Sequence, residues 1–177
     1  MPENPLVSII MNCYNGEKFL KEAINSVLTQ TYENWELIFW DNQSVDQSKD
    51  VFKSFSDNRL KYFYAPKHTL LYEARNFAFK EVSGEFVAFL AVDDWWIPEK
   101  LEKQIPLFSD ANVGLVCGNF LVVNEIKGNT KISWEGQKPT GWILNELLED
   151  YFVGLLTIIL RRKVFDSLEY PFNPCLL

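Results

Sequence analysis

Residues 86–92, Phe-Val-Ala-Phe-Leu-Ala-Val, are apolar without a break, and Asp93 and Asp94 follow at once. Gly84 precedes the run and Pro98 follows it. A short apolar segment between such punctuation reads as a strand. Its lack of polar alternation means that both of its faces are covered, as in a parallel sheet with helices on either side. Two acids at the C-terminal end of that strand fall where open α/β sheets bind ligands. Adjacent carboxylates repel each other, and their hard oxygens suit Mg²⁺ or Mn²⁺. The same residues are also compatible with a solvated turn in which an Asp caps a helix before Pro98.

The preceding chain supports the sheet. Leu6 to Met11 is an apolar strand pattern, broken by turn chemistry from Asn12 to Gly16. Phe19, Leu20, Ala23, Ile24, Val27 and Leu28 recur at helical spacing, with Asn15 placed to cap that helix. Trp35 to Trp40 is a second strand and ends in Asp41-Asn42-Gln43-Ser44. Ser44 and Gln47 have capping-box spacing ahead of a helix carrying Val51, Phe52 and Phe55. Leu60 to Tyr64 reads as a third strand, and Leu71 to Val82 as a third helix with Ala74, Phe77 and Ala78 inward. This β-α-β-α-β-α-β order predicts a mainly parallel sheet with helices on both faces. The loops after the first, second and fourth strands then open on one edge. Beyond them a helix is expected over Glu99–Phe108, a strand over Gly114–Asn124 bent near Gly118, and a hairpin or loop over Glu125–Thr140. A short helix over Trp142–Leu148, a strand over Leu155–Leu160 and a helical turn over Arg162–Leu168 complete the expectation.

The chain has 177 residues, a soft prior for one domain. Its net charge of −7 argues against a general nucleic-acid or anionic-membrane surface, leaving only local basic clusters at Lys100–Lys103 and Arg161–Lys163. Cys13, Cys117 and Cys175 are not at metal-binding spacing, and an odd count without a signal-like N-terminus reads as free thiols in the cytoplasm. The apolar run Tyr151–Leu160 is too short to span a bilayer. One histidine, His68, disfavours Ser-His-Asp or Cys-His chemistry and reads as a polar surface residue.

Neither G-x-G-x-x-G nor G-x-x-x-x-G-K-[ST] follows a strand, so the usual dinucleotide and P-loop phosphate cradles are disfavoured. An acidic crevice accepts a diphosphate only through a metal, for which Asp93 and Asp94 are the candidates. Arg75 either adds positive charge for the phosphates or forms an ordinary helix-face salt bridge. Asp41 or Asn42 either receives a nucleobase N–H or turns the chain. Tyr14 either stacks on a base or staples its loop to the core, and the second use is the commoner one. A nucleotidyltransferase is a further reading of an acidic α/β site, but it calls for a basic Gly-rich loop, and residues 12–18 offer only Gly16 and Lys18.

Several ordered segments together resemble family 2 glycosyltransferases of the A-type fold. They are Tyr14-Asn15, Ser26-Val27-Leu28-Thr29-Gln30-Thr31, Asp41-Asn42-Gln43-Ser44-Val45-Asp46, Ala74-Arg75-Asn76, Gly84 to Leu90, Asp93-Asp94 and Pro98-Glu99-Lys100-Leu101. The resemblance is close over the first two-thirds of the chain and looser from Leu155 to Phe172. It implies a nucleotide-sugar donor, with a UDP-sugar favoured, a divalent cation, inversion at the anomeric carbon and a glycan or lipid-linked acceptor. It puts Asn12, Cys13, Tyr14, Asp41 and Asn42 around the nucleoside, with Arg75 near the phosphates or bracing the pocket. Asp94 becomes the principal metal ligand, and Asp93 a ribose or sugar contact that also serves the metal. Residues 1–110 form the nucleotide-binding half and 111–177 the start of an acceptor-side half.

Three departures accompany the resemblance. Ala91 stands where many members carry a further Asp, and Asn42 replaces a common second Asp while still accepting a hydrogen bond. Tyr170-Pro171-Phe172-Asn173-Pro174 is similar to the segment that precedes the family's acidic general-base motif, so that base is expected beyond Leu177 in a longer enzyme. A domain that binds nucleotide without catalysing transfer is the alternative. Membrane association at the cytoplasmic face and a homodimer through an unpaired sheet edge are further expectations.

Overall fold

A computed structural model describes residues 4–166 and 168–173. Cys175 and Pro174 lie outside the described residues. Strands β1 (Val7–Cys13), β2 (Trp35–Asp41), β3 (Leu60–Tyr64) and β4 (Phe86–Phe89) alternate with helices α1 (Glu17–Leu28), α2 (Ser48–Lys53) and α3 (Leu71–Phe79). After them come α4 (Lys100–Gln104), a 3-10 turn (Ile105–Ser109), β5 (Leu115–Val116), β6 (Leu121–Asn124), β7 (Asn129–Ile132), α5 (Leu144–Glu149), a 3-10 turn (Leu155–Thr157), β8 (Ile159–Arg161) and a 3-10 turn (Arg162–Phe165).

Six strands form one sheet in the order β3-β2-β1-β4-β8-β5. The first four are mutually parallel, and β8 runs antiparallel to both β4 and β5. The mainly parallel architecture is therefore as expected. The period of a strand splits its side chains between two faces. Ile9, Met11, Leu37, Phe39, Phe86 and Ala88 pack with α1 and Phe108 on one face, while Ile10, Ile38, Trp40, Val87 and Phe89 pack against Ala74 and Ala78 of α3 on the other. Gly84 lets the chain enter β4: a Cβ there would lie 2.6 Å from the Leu6 carbonyl oxygen.

Several boundaries differ from the pattern reading. The run to Val92 leaves the ladder after Phe89, because the chain turns toward Asp93 and Asp94. α3 stops at Phe79, short of Val82. The helix expected over Glu99–Phe108 is α-helical only to Gln104 and tightens around Pro106, which cannot donate to the helical ladder. Gly114–Asn124 is not one bent strand. Its first part pairs with β8 in the main sheet, and its second forms a separate hairpin with β7. Residues 155–157 form a 3-10 turn, and the last strand begins at Ile159.

Neither proposed cap forms. Asn15 is left-handed (φ 56°) and Gly16 occupies the cap of α1, while Gln47 rather than Ser44 caps α2. Arg161 is not part of a basic surface. It is buried and donates to the carbonyls of Val113 (2.8 Å) and Phe108 (2.5 Å), tying β8 to the turn after α4.

Candidate active site

Because β1, β2 and β4 are parallel neighbours, their C-terminal loops meet at one edge. The loops after β1 and β2 are bolted together by polar pairs. The Asn15 N–H donates to Ser44 Oγ (3.0 Å) and the Val45 N–H returns a bond to Asn15 Oδ1 (2.9 Å). The Gly16 N–H donates to Ser48 Oγ and the Glu17 N–H to Asp46 Oδ2. Burial works to raise the Asp46 pKa, but hydrogen bonds from Ser48 and the Glu17 N–H outweigh it and hold the carboxyl below its ordinary value. Gly16 also brings the third loop close, since a Cβ would sit 2.9 Å from Val92 Cγ2.

One pocket of about 330 Å³ opens between these loops and the start of α3. Asn12, Cys13, Tyr14 and Asn42 line it, together with His68 and Thr69. Asn12 Nδ2 is buried and has no hydrogen-bond acceptor among the described residues, as is true of the indole N–H groups of Trp35, Trp40 and Trp134, and an unmade bond of this kind costs about 1–3 kcal/mol. Tyr14 does not staple the loop to the core. It is 53% exposed and leans on the His68 ring, with centroids 4.4 Å apart. Asn42 is committed to the protein, donating to the Thr69 carbonyl (2.7 Å) and accepting from the Thr69 N–H and hydroxyl. It therefore shapes the pocket wall by holding residues 68–71.

Asp41 and Arg75 line neither pocket described here. Asp41 is fully buried, and its two oxygens accept from the Ser44 N–H and the Tyr62 hydroxyl, each at 2.7 Å. That use satisfies the carboxylate within the fold and makes the turn after β2. Arg75 lies 5.5 Å from the Phe172 ring centroid, and burial pulls its pKa down. It forms no salt bridge among the described residues, so the helix-face ion pair is not what occupies it. Asn76 clamps the same segment, donating to the Phe172 carbonyl and accepting from its N–H.

A second cavity, of about 650 Å³, begins at Asp93 and Asp94 and runs along Trp96 and α4 to the β6 hairpin. No hydrogen bond or ion pair engages either carboxylate among the described residues. Burial, and then the neighbouring charge of Asp93, push the Asp94 pKa up. Such a pair gains from a cation. Among the described residues no third acid, His or Cys joins them in a metal-holding group, and Ala91 contributes only its carbonyl, to the Asp94 N–H. Two carboxylates completed by phosphate oxygens and water suit Mg²⁺ or Mn²⁺ chemistry, so the donor set fits.

The loop carrying these acids is held from behind. Gln30 donates to the Ile97 carbonyl (2.8 Å) and accepts from the Leu101 N–H, and Trp96 Nε1 donates to the Leu156 carbonyl (2.8 Å). Lys100 donates to Gln104 Oε1 (2.6 Å) and lies 4.3 Å from the Trp96 ring centroid. Part of its surface reaches the cavity, but its ammonium is surrounded by protein, and burial pulls its pKa down to about 7. Sequence reasoning did not single out His68, Thr69, Trp96 or Lys100 as site residues. Lys100 was visible in the sequence only as part of a local basic cluster and of the Pro98-Glu99-Lys100-Leu101 segment.

The profile described as Glycosyl transferase family 2 matches residues 8–168. This chain belongs to that family. A UDP-Glc:alpha-D-GlcNAc-diphosphoundecaprenol beta-1,3-glucosyltransferase, WfgD of Escherichia coli, is 39% identical over 94% of this chain and 64% of its own length. A teichuronic acid biosynthesis glycosyltransferase of Bacillus subtilis, TuaG, named as putative, is 27% identical over 94% of this chain and 66% of its own. The chain thus spans just under two-thirds of these family members. The S. aureus TarS 1-349 structure in complex with UDP-GlcNAc superposes with a TM-score of 0.75 at 23% identity, covering 90% of this chain and 46% of that one. A Pyrobaculum calidifontis mannosyltransferase structure with GDP-Man and Mn²⁺ gives 0.71 at 16% identity, covering 96% and 48%. These two likenesses carry the family's A-type fold.

Proposed function

We propose that this chain is the donor-binding part of an inverting glycosyltransferase that moves a sugar from a UDP-sugar to a hydroxyl of a lipid-linked glycan. The observation that carries the reading is the pairing of unmet needs along one sheet edge. Asn12 Nδ2 has no acceptor among the described residues, beside a pocket of about 330 Å³, and Asp93 and Asp94 on the adjacent strand's loop pair with no basic side chain among them. A nucleoside diphosphate with a divalent cation answers both.

In this reading the base enters between Tyr14 and residues 68–71, and Asn12 Nδ2 donates to a base carbonyl oxygen. Asp93 accepts from a ribose or sugar hydroxyl. Asp94, with Asp93, would hold Mn²⁺ or Mg²⁺, which when bound offsets the charge of the leaving diphosphate. Asp41 keeps the β2 turn in place, and Arg75 with Asn76 braces the Phe172 segment behind α3. The UDP preference and the lipid-linked acceptor are supported by the printed activity of WfgD. An acceptor of that kind places the work at a membrane face, in keeping with a cytoplasmic domain that associates with the bilayer. No helix among the described residues is long and apolar enough to cross a membrane.

Calorimetric titration of UDP, GDP, CDP and dTDP, with and without Mn²⁺, tests the proposal by binding rather than turnover. Tight UDP binding that requires Mn²⁺ is the expected result. Equal binding without metal, or binding of none of the four, would overturn it.

A further inference from the structure

One segment that stands out in the sequence, Ser26 to Thr31, takes no direct part in the donor site. It closes α1 at the end opposite the nucleoside loop. Gln30 there is 6% exposed. Its Nε2 donates to the Ser26 carbonyl of its own helix (3.0 Å) and to the Ile97 carbonyl (2.8 Å), and its Oε1 accepts from the Leu101 N–H (3.2 Å). Both N–H bonds are committed, so the amide has no donor left for a ligand. The Thr31 N–H adds a bond to the Pro98 carbonyl (3.0 Å). Residues 94–97 belong to no helix or strand, so their backbone depends on partners supplied from elsewhere. The first end of α1 meets the same loop, since a Cβ on Gly16 would lie 2.9 Å from Val92 Cγ2. One helix thus touches the acid-bearing loop on either side of Asp93 and Asp94, at Val92 and at Ile97.

We infer that Gln30 is a positioning residue for Asp93 and Asp94: it ties the loop that carries them to the far end of α1 and so fixes both carboxylates relative to the nucleoside pocket. The inference rests on the donor reading for what the acids hold, and goes beyond it in naming what holds the acids. Adjacent carboxylates repel, and a free loop would relax that repulsion by moving them apart. A loop anchored from behind cannot, so the repulsion stays available for a cation to relieve. The nucleoside loop runs directly into α1 at Gly16, so the same helix sets the spacing between the two parts of a ligand that spans both.

The test compares Gln30 variants with a control by amide hydrogen exchange and by calorimetry, using uridine and, at graded Mn²⁺, UDP. Gln30→Met keeps the volume and removes the amide. It should quicken exchange across residues 93–99 while Val7–Cys13 stays slow, because local opening follows the loss of local bonds. It should raise the Mn²⁺ concentration for half-maximal UDP binding by about 10-fold or more, as losses behind a metal ligand do, and leave uridine affinity unchanged. Gln30→Asn keeps an amide within reach of its own helix but falls one methylene short of Ile97. It should act in the same direction, and it carries the test if Gln30→Met does not fold. Ile24→Val trims a fully buried residue of the same helix and leaves every hydrogen bond to the loop in place, so it should lower the melting temperature alone. An unchanged Mn²⁺ requirement, or unchanged exchange, in the Gln30 variants overturns the inference. An equal shift in Ile24→Val also overturns it, by reducing Gln30 to general support of the fold, and so does a parallel loss of uridine binding, by tying Gln30 to the whole pocket. If the parent binds UDP without needing Mn²⁺, the donor reading falls. Faster exchange confined to residues 93–99 in the Gln30 variants then still supports the positioning, and its absence overturns it.

Discussion

The two ends of the parallel strands are built on opposite rules. At the N-terminal end, Glu36 is buried at the start of β2 and every oxygen is used. It accepts from Ser8 Oγ, from the Ser83 N–H and hydroxyl, and from Lys61. Burial alone would raise its pKa, yet these bonds bring it down to about 2. At the C-terminal end, Asn12 Nδ2 has no acceptor and Asp93 and Asp94 have no basic partner among the described residues. Fully paired polar groups hold a fold together, and charged groups left unpaired at a strand edge are the ones open to a ligand. The difference teaches where stability and binding separate in this chain.

Glu36→Ala should break the first end. It leaves three donors without their acceptor, while Lys61, 43% exposed, returns to water, so unfolding free energy should fall by about 3 kcal/mol, read by denaturant titration, with UDP affinity unchanged in the fraction still folded. Acid should do the same more gradually. Because the folded-state pKa of Glu36 lies below that of the unfolded chain, its contribution is complete above about pH 4.5 and is lost as pH falls toward about 2. At 1.36 kcal/mol per pKa unit this amounts to at most about 3 kcal/mol. Melting curves of Glu36→Gln should lack that part of the acid slope. An identical slope would remove Glu36 from the account.

At the other end the signs reverse. Asp94→Ala should weaken Mn²⁺-dependent UDP binding by at least about 10-fold, while relieving the repulsion with Asp93 so that stability holds or rises. Asp166→Ala, on the exposed turn after β8, should change neither. Equal losses from the two would end the metal assignment. The smallest effect at the site belongs to Asn12→Leu, which keeps the shape and removes the amide. UDP affinity should drop by about 1 kcal/mol, the worth of one neutral hydrogen bond, and thermal stability should not fall. A large loss of stability would show that Asn12 belongs with Glu36 among the structural groups.

Much of this division was legible in the residues. The apolar runs at Val7–Met11, Trp35–Trp40 and Phe86–Phe89 mark the strands, because burial on both faces selects apolar side chains, and the two polar exceptions, Ser8 and Glu36, are paired with each other. The acids at Asp93 and Asp94 mark the open edge. The capping assignments at Asn15 and Ser44 failed because both side chains are spent across loops: Ser44 Oγ accepts from the Asn15 N–H and Asn15 Oδ1 from the Val45 N–H, partners far apart in sequence that local spacing does not report. Asp41 shows the same limit. Its position after β2 is visible in the sequence, but its capture by Tyr62 from β3 is not.

By itself the sequence determined the alternation, the parallel core, the acidic strand end and the family, since each is written in residue type and short-range order. Only the tertiary structure decided which polar groups were already satisfied. It turned Asp41 and Asn42 inward to serve the loops, brought His68 beneath Tyr14, and enclosed Lys100 against Trp96 without a counter-charge. Satisfaction of a hydrogen bond or a charge depends on distances between residues far apart in the chain, and those exist only once the sheet has assembled.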